Sequence, residues 1–172
     1  EGERPMNPTT VERRSDCELV VTRVFDAPAR LVFAAWTKPE LFKKWWAPAS
    51  FGLAMIECEL DVRTGGTYRL VFVVGQDTSQ PMAFFGKYLE VRPPSRLVWT
   101  NEEGDAQQVT TVTFEERDGR TTVVMHDRYP SKKALDDAIA SGSTSGAGET
   151  FDQLAALLKE AQGTSAKQEK PP

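Results

Sequence analysis

The chain reads as an α+β fold in which a curved antiparallel sheet of about seven strands wraps a long C-terminal helix, in the order strand, two helices, six strands, helix. Three observations carry that expectation. Glu18–Phe25 is rich in β-branched and aromatic residues and runs into Asp26-Ala27-Pro28, where proline marks a helix start. From Phe51 to Tyr129 apolar residues alternate with polar ones between breaks rich in Gly, Pro and Asp. Finally, Phe151, Leu154, Ala155 and Leu158 recur at three- and four-residue spacing, which gives a helix one apolar stripe to lay on the sheet.

Residues 1–16 are polar and proline-bearing, and 163–172 carry no apolar side chain larger than Ala166; both read as disordered ends of a single domain spanning 17–162. The first methionine is Met6, so residues 1–5 read as vector-derived. After the first strand, Leu31, Val32, Ala35 and Trp36 repeat at helical spacing. Thr37-Lys38-Pro39 interrupts the period and Leu41, Phe42, Trp45 and Trp46 restart it, which predicts two short helices in series. The six following strands are expected at Leu53–Asp61, Gly66–Val74, Met82–Val91, Arg96–Asn101, Gln107–Arg117 and Thr121–Tyr129. Their joins include Arg63-Thr64-Gly65-Gly66, Pro93-Pro94-Ser95, Glu103-Gly104-Asp105 and Arg117-Asp118-Gly119, the last carrying the Asp-Gly pair favoured in type I′ turns. Ser131–Ala140 reads as a polar helix capped by Ser131, and the final helix is expected from Ala147 to Ala161.

With 172 residues and 40% hydrophobic content, the chain is large enough to bury a substantial core. A formal net charge of -4 argues against a nucleic-acid partner, because phosphate-backbone affinity needs clustered Lys and Arg. No apolar run approaches the roughly 20 residues that span a bilayer, and the polar start is unlike a signal peptide, so a cytoplasmic protein with no membrane span is expected. Cys17 and Cys58 lack metal or redox spacing and read as reduced packing residues.

Several fragments in order carry a resemblance. Val24-Phe25-Asp26-Ala27-Pro28, Trp36-Thr37-Lys38-Pro39-Glu40, Trp45-Trp46-Ala47-Pro48, Gly65-Gly66-Thr67-Tyr68, Gly86-Lys87-Tyr88-Leu89-Glu90-Val91 and Pro93-Pro94-Ser95-Arg96-Leu97-Val98-Trp99-Thr100 resemble the helix-grip (START-like, SRPBCC) superfamily. Within it they look like the branch named for activators of the heat-shock protein 90 ATPase. The match runs from about Leu19 to Glu160. The resemblance implies a cavity between sheet and C-terminal helix that takes a hydrophobic molecule, and in some members cyclisation or dehydration there.

Few residues offer chemistry. His126 is the only histidine, and strand alternation sets it opposite to Met125, Asp127 and Tyr129. If Met125 faces a cavity, Asp127 and Tyr129 do too, as a candidate general base and a hydrogen-bonding phenol; otherwise they are a rim carboxylate and a half-buried tyrosine. Gly142-Ser143-Thr144-Ser145-Gly146 has Thr at its centre and lacks the leading strand of a nucleophile elbow, and reads as a loose helix start or a gate over the cavity mouth. Glu57, Glu59 and Asp61 share one strand face and read as solvated; no metal set, phosphate loop or cofactor motif is present. The expected ligand-binding residues are Trp36, Trp45, Trp46, Phe72, Phe84, Trp99, Met125, Tyr129, Phe151 and Leu154, unless those side chains simply fill the space. Three readings follow: binding of a small lipid-like or aromatic molecule without catalysis, a cyclase or dehydratase using Asp127 and Tyr129, or a chaperone-linked protein-binding module. In the last, an outer sheet face would engage a protein partner or a second copy as a homodimer.

Overall fold

Eight strands, one more than expected, form a single antiparallel sheet in the computed structural model, which describes residues 7–102, 107–142 and 144–168. They are β1 (Thr10–Ser15), β2 (Glu18–Phe25), β3 (Leu53–Leu60), β4 (Thr67–Val74), β5 (Asp77–Arg92), β6 (Arg96–Asn101), β7 (Gln108–Arg117) and β8 (Arg120–Arg128). The helices are α1 (Ala29–Thr37), α2 (Pro39–Phe42), α3 (Lys132–Ala140) and α4 (Ala147–Gln168). Strand order is β1-β2-β8-β7-β6-β5-β4-β3, so the meander β3 to β8 closes against the N-terminal hairpin.

The extra strand corrects the expectation that residues 1–16 are disordered. Thr10 pairs with Thr22 and Arg13 with Leu19, although all six residues of β1 are exposed. An edge strand of this kind is held by its backbone ladder rather than by buried side chains, so it leaves no hydrophobic pattern to read. Residues 1–6 and the Glu103-Gly104-Asp105 turn lie outside the described residues. At the other end α4 continues to Gln168, beyond the expected stop at Ala161 and into the segment read as a disordered tail; only 169–172 of that tail lie outside the description.

β5 also starts five residues earlier than Met82 and runs through Pro81. Proline is tolerated there because the β6 ladder pairs only with Tyr88–Arg92, leaving the stretch of β5 around Pro81 outside it. The β7–β8 turn is the expected Asp-Gly type, with Asp118 at φ 55° and Gly119 at φ 76°. A bulge between Met55 and Glu57 shifts the pleat of β3, so that Leu53, Met55, Cys58 and Leu60 all pack towards the core. Glu57 instead pairs with Arg69 at 3.4 Å and Asp61 with Arg63 at 3.0 Å, as solvated outer positions do.

The core lies between the concave sheet face and the helices. Val32, Val112, Val123, Leu135 and Leu154 are fully buried, and Phe25 meets Phe151 edge-on at 5.7 Å. Trp36 sits at the centre of an aromatic cluster, 4.7 Å from Trp45, 5.6 Å from Trp46 and 5.9 Å from Phe114. The α2 turn is held by Trp45, whose Nε1 donates to Ala35 O at 2.9 Å. Gln153 of α4 then fastens the following loop: its Nε2 donates to Trp45 O and Ala47 O, both at 2.9 Å, and its Oε1 accepts from Ala49 N at 2.8 Å. This loop forms part of the cavity wall described below.

Ser131 caps α3 as expected, its Oγ accepting from Ala134 N at 3.0 Å. Ser131→Ala removes the acceptor of the Ala134 N–H and should cost about 1 kcal/mol in urea unfolding. A loss under a few tenths would show that α3 adds little to the cooperative unit.

Candidate functional site

A cavity of about 580 Å³ lies between the sheet, the loop after α2 and the N-terminal half of α4. That volume falls in the range that holds a drug-sized ligand. Of the ten expected residues, Trp36, Trp46, Phe72, Phe84, Trp99, Met125, Tyr129 and Phe151 line it. Phe84 lines the cavity, 5.6 Å from Phe72, and Phe85 does not, although both rings are exposed. Two expectations need correction. Trp45 is fully buried behind the wall because its indole is spent on the Ala35 carbonyl, and Leu154 lies one helical turn past Phe151, in the core beneath α4.

Adjacent strands bring the polar side chains of the wall together. Thr110 is the cross-strand partner of both Asp127 and Trp99, Trp99 pairs with Tyr88, and Leu19 pairs with Asp127. One inner row therefore runs Leu19, Asp127, Thr110, Trp99, Tyr88. Asn101 pairs with Gln108 one pleat further along, towards Tyr129. In the other direction, Met125 opposite Val112 and Val112 opposite Leu97 make the next inner row wholly apolar. The cavity is thus apolar over most of its wall and polar at one end, where β6 and β8 finish and β7 begins.

The polar groups are linked. The Tyr68 hydroxyl stands 2.6 Å from Thr100 O and 2.7 Å from Asn101 Oδ1, and its one hydrogen serves either. Asn101 Nδ2 lies 3.5 Å from Thr110 Oγ1, which donates to Asp127 Oδ1 at 2.6 Å. The Gln108 amide hydrogen-bonds both Asp127 and Tyr129. Asp127 is only 9% exposed, and burial raises its pKa against the opposing pull of the Thr110 and Gln108 hydrogen bonds. Burial, reinforced by the nearby Asp127 charge, pushes the Tyr129 phenol up to about 12. Tyr88 is raised as well, chiefly by burial. His126 faces away as alternation predicts, with Nε2 3.6 Å from Glu18 on the opposite side of the sheet.

A buried carboxyl with a raised pKa binds its proton more tightly in the folded than in the unfolded chain. Its contribution to stability is therefore lost as pH rises from the ordinary Asp value of 3.8 through the folded-state value. Asp127→Asn keeps the acceptor for Thr110 without the charge, so the variant should be more stable than wild type at pH 7 and lose that advantage near pH 3. Thermal melts across that range check the sign. A variant less stable at pH 7 would mean that the ionised carboxylate is held favourably.

Asn101, Gln108 and Thr110 were not expected from the sequence; Thr144 and Gly146, in the segment read as a loose helix start or a gate over the cavity mouth, border the cavity. Gly146 packs so closely that a Cβ there would fall 2.5 Å from Pro48 and 3.2 Å from Phe51. Both cysteines are free and half-buried. Among the described residues no helix is long and apolar enough to cross a membrane, and no group of three His, Cys, Asp or Glu is placed to hold a metal ion.

The model of the Activator of Hsp90 ATPase homolog 1-like protein family matches residues 26–159. The chain belongs to that family. The fold confirms the helix-grip architecture expected for it, with a C-terminal helix on a large open antiparallel sheet. Among solved structures, a protein from Rhodobacter sphaeroides is 24% identical, with 88% of this chain and 98% of that one covered and a TM-score of 0.79. A Mycobacterium smegmatis protein is 26% identical over 90% of this chain and 99% of that one, with a TM-score of 0.74. An AHSA1-like protein from Aeromonas hydrophila shares the fold at 19% identity, covering 83% and 94%, with a TM-score of 0.65. No curated protein matches the chain.

Proposed function

We propose that this family member binds a small, largely apolar molecule in the cavity between the sheet and α4, as a cytoplasmic protein and without catalysing a reaction. The observation that supports this reading is a cavity of about 580 Å³ walled by Trp36, Trp46, Phe72, Trp99 and Phe151. Filling it removes aromatic and aliphatic surface from water, which favours occupancy at roughly 25 cal/mol per Å² buried. The polar end fixes the orientation of whatever enters.

Mass spectrometry of protein purified natively and then denatured tests the proposal, together with a thermal-shift screen of aromatic and aliphatic compounds. A stoichiometric co-purified compound supports it. So does a ligand that raises Tm by several degrees, since about 2.7 kcal/mol of stabilisation is expected at a hundredfold excess over Kd. An empty protein that no compound stabilises overturns it and favours a protein-binding role, for which exposed Ile56, Val74, Phe85 and Leu89 supply apolar surface.

A second reading, an enzyme of the cyclase or dehydratase type, is favoured by one specific observation. The Asp127 carboxyl and the Tyr129 phenol share Gln108 at the polar end, where one could take a proton and the other support a carbonyl. Turnover of a bound ligand, lost in Asp127→Asn and Tyr129→Phe, would establish it.

A further inference from the structure

The charge of the cavity is one-sided. Among the described residues that line it, Asp127 is the only side chain that can carry a full charge near neutral pH; no Lys, Arg or His reaches the wall. Asp127 is also more than nine-tenths buried, so this charge, when present, is withdrawn from bulk solvent with no cationic side chain on the cavity wall beside it. Its hydrogen-bond donors, Thr110 and Gln108, are neutral. The surrounding polar surface adds electron-rich groups: the phenol oxygens of Tyr68 and Tyr129, the amide of Asn101, and the ring of Trp99 in the same cross-strand row as Asp127.

Each candidate head group meets this end differently. An anionic head, as on a fatty acid or phospholipid, would be buried beside a carboxylate with no cation to offset it, and both charges would lose hydration. A neutral hydroxyl or carbonyl can hydrogen-bond but leaves the carboxyl unpaired. An ammonium gives Asp127 the counter-charge that the chain itself omits, donates to the remaining carboxylate lone pairs and lies against aromatic faces that attract cations.

We infer that the cavity selects hydrophobic amines, with the charged nitrogen seated on Asp127 and the apolar body against Trp36, Trp46 and Phe151, and that it rejects anionic amphiphiles. This assignment of ligand class rests on the small-molecule reading of the cavity.

Three probes with one apolar body separate the possibilities: 2-(1-naphthyl)ethylamine, 2-(1-naphthyl)ethanol and 1-naphthylacetate. Binding to the full chain is measured at pH 7 by calorimetry or by quenching of tryptophan fluorescence. The expected result is amine at least tenfold tighter than alcohol, with the acetate weakest. In Asp127→Asn, with folding confirmed by circular dichroism, the amine should fall to within about threefold of the alcohol. An alcohol that binds wild type as well as the amine, or an acetate that binds best, overturns the inference and leaves the ligand-binding function standing. An amine preference that persists in Asp127→Asn removes Asp127 as its seat and overturns it too. If none of the three binds, the small-molecule reading fails and the inference fails with it. The wild-type comparison of head groups holds even if the variant does not fold.

Discussion

Trp36→Ala should lower stability by about 3–5 kcal/mol, a drop in Tm on the order of 10 °C for a domain of this size. Trp36 is 2% exposed, and its ring is in edge or tilted contact with Trp45, Trp46, Trp99, Phe114 and Phe151. Truncation removes the hub of this cluster and leaves a void that continues into the cavity, so its neighbours in the turn after α2 and on β6, β7 and α4 lose their shared packing partner. Trp36→Phe separates ring packing from the indole N–H. Nε1 is buried with no hydrogen-bond partner among the described residues, so losing it sacrifices no bond. The phenylalanine variant should therefore keep most of the stability, paying only for lost ring volume. Urea denaturation of both variants decides the matter, and equal losses for Phe and Ala would show that the N–H has a partner after all.

Gly86→Ala should be nearly as damaging, by about 3 kcal/mol, for a different reason. A Cβ at Gly86 would lie 1.9 Å from Thr100 O and 2.8 Å from Thr100 C, both backbone atoms of the neighbouring strand that cannot rotate aside. β5 and β6 must separate. That movement reaches the cavity, because Thr100 O is one of the two acceptors facing the Tyr68 hydroxyl and Asn101 is the other. The variant should thus lose both stability and ligand affinity. Gly163→Ala serves as the contrast: no atom lies within 4 Å of its Cβ position on α4, so alanine should stabilise by about 0.5–1 kcal/mol. If Gly86→Ala unfolds within 0.5 kcal/mol of wild type, the tight strand approach is not maintained in solution.

The legible parts of this fold are those with local signatures. Asp118-Gly119 marked its turn because two successive positive φ angles suit few other pairs, and Phe151, Leu154 and Leu158 marked α4 because one stripe meets the sheet. β1 was not legible: Thr10–Ser15 buries no side chain and is held chiefly by backbone pairing, with the Arg13–Asp136 ion pair at 2.7 Å beside it. In the cavity, alternation alone placed Met125, Asp127 and Tyr129 on one face and His126 on the other. Trp45 and Trp46 were both expected at the cavity and only Trp46 lines it, because adjacent residues in a tight turn point apart and the Ala35 carbonyl holds the Trp45 indole behind the wall.

The polar end was in fact implicit in the β7–β8 turn. Once Asp118-Gly119 sets Arg117 opposite Arg120, counting back along both strands brings Thr110 opposite Asp127 and sets Gln108 near Tyr129. The hydrogen bonds at that end follow from one turn's geometry. Asn101 follows from the β6–β7 pairing, which sets it opposite Gln108, whereas Tyr68 lies on β4, beyond the bulge between Tyr88 and Glu90 in the β5–β6 register, and could not be counted.

The pairing of β2 with β8 bears on how the chain leaves the ribosome. Glu18 finds its partner Arg128 only after roughly 110 more residues have been made, about 5–20 s of synthesis at ordinary rates. Throughout that interval Leu19, Val20, Val21 and the tryptophans of the helix pair have no finished sheet to rest against, and α4 emerges later still. The nascent chain therefore exposes its most aromatic segment, residues 19–46, for longest.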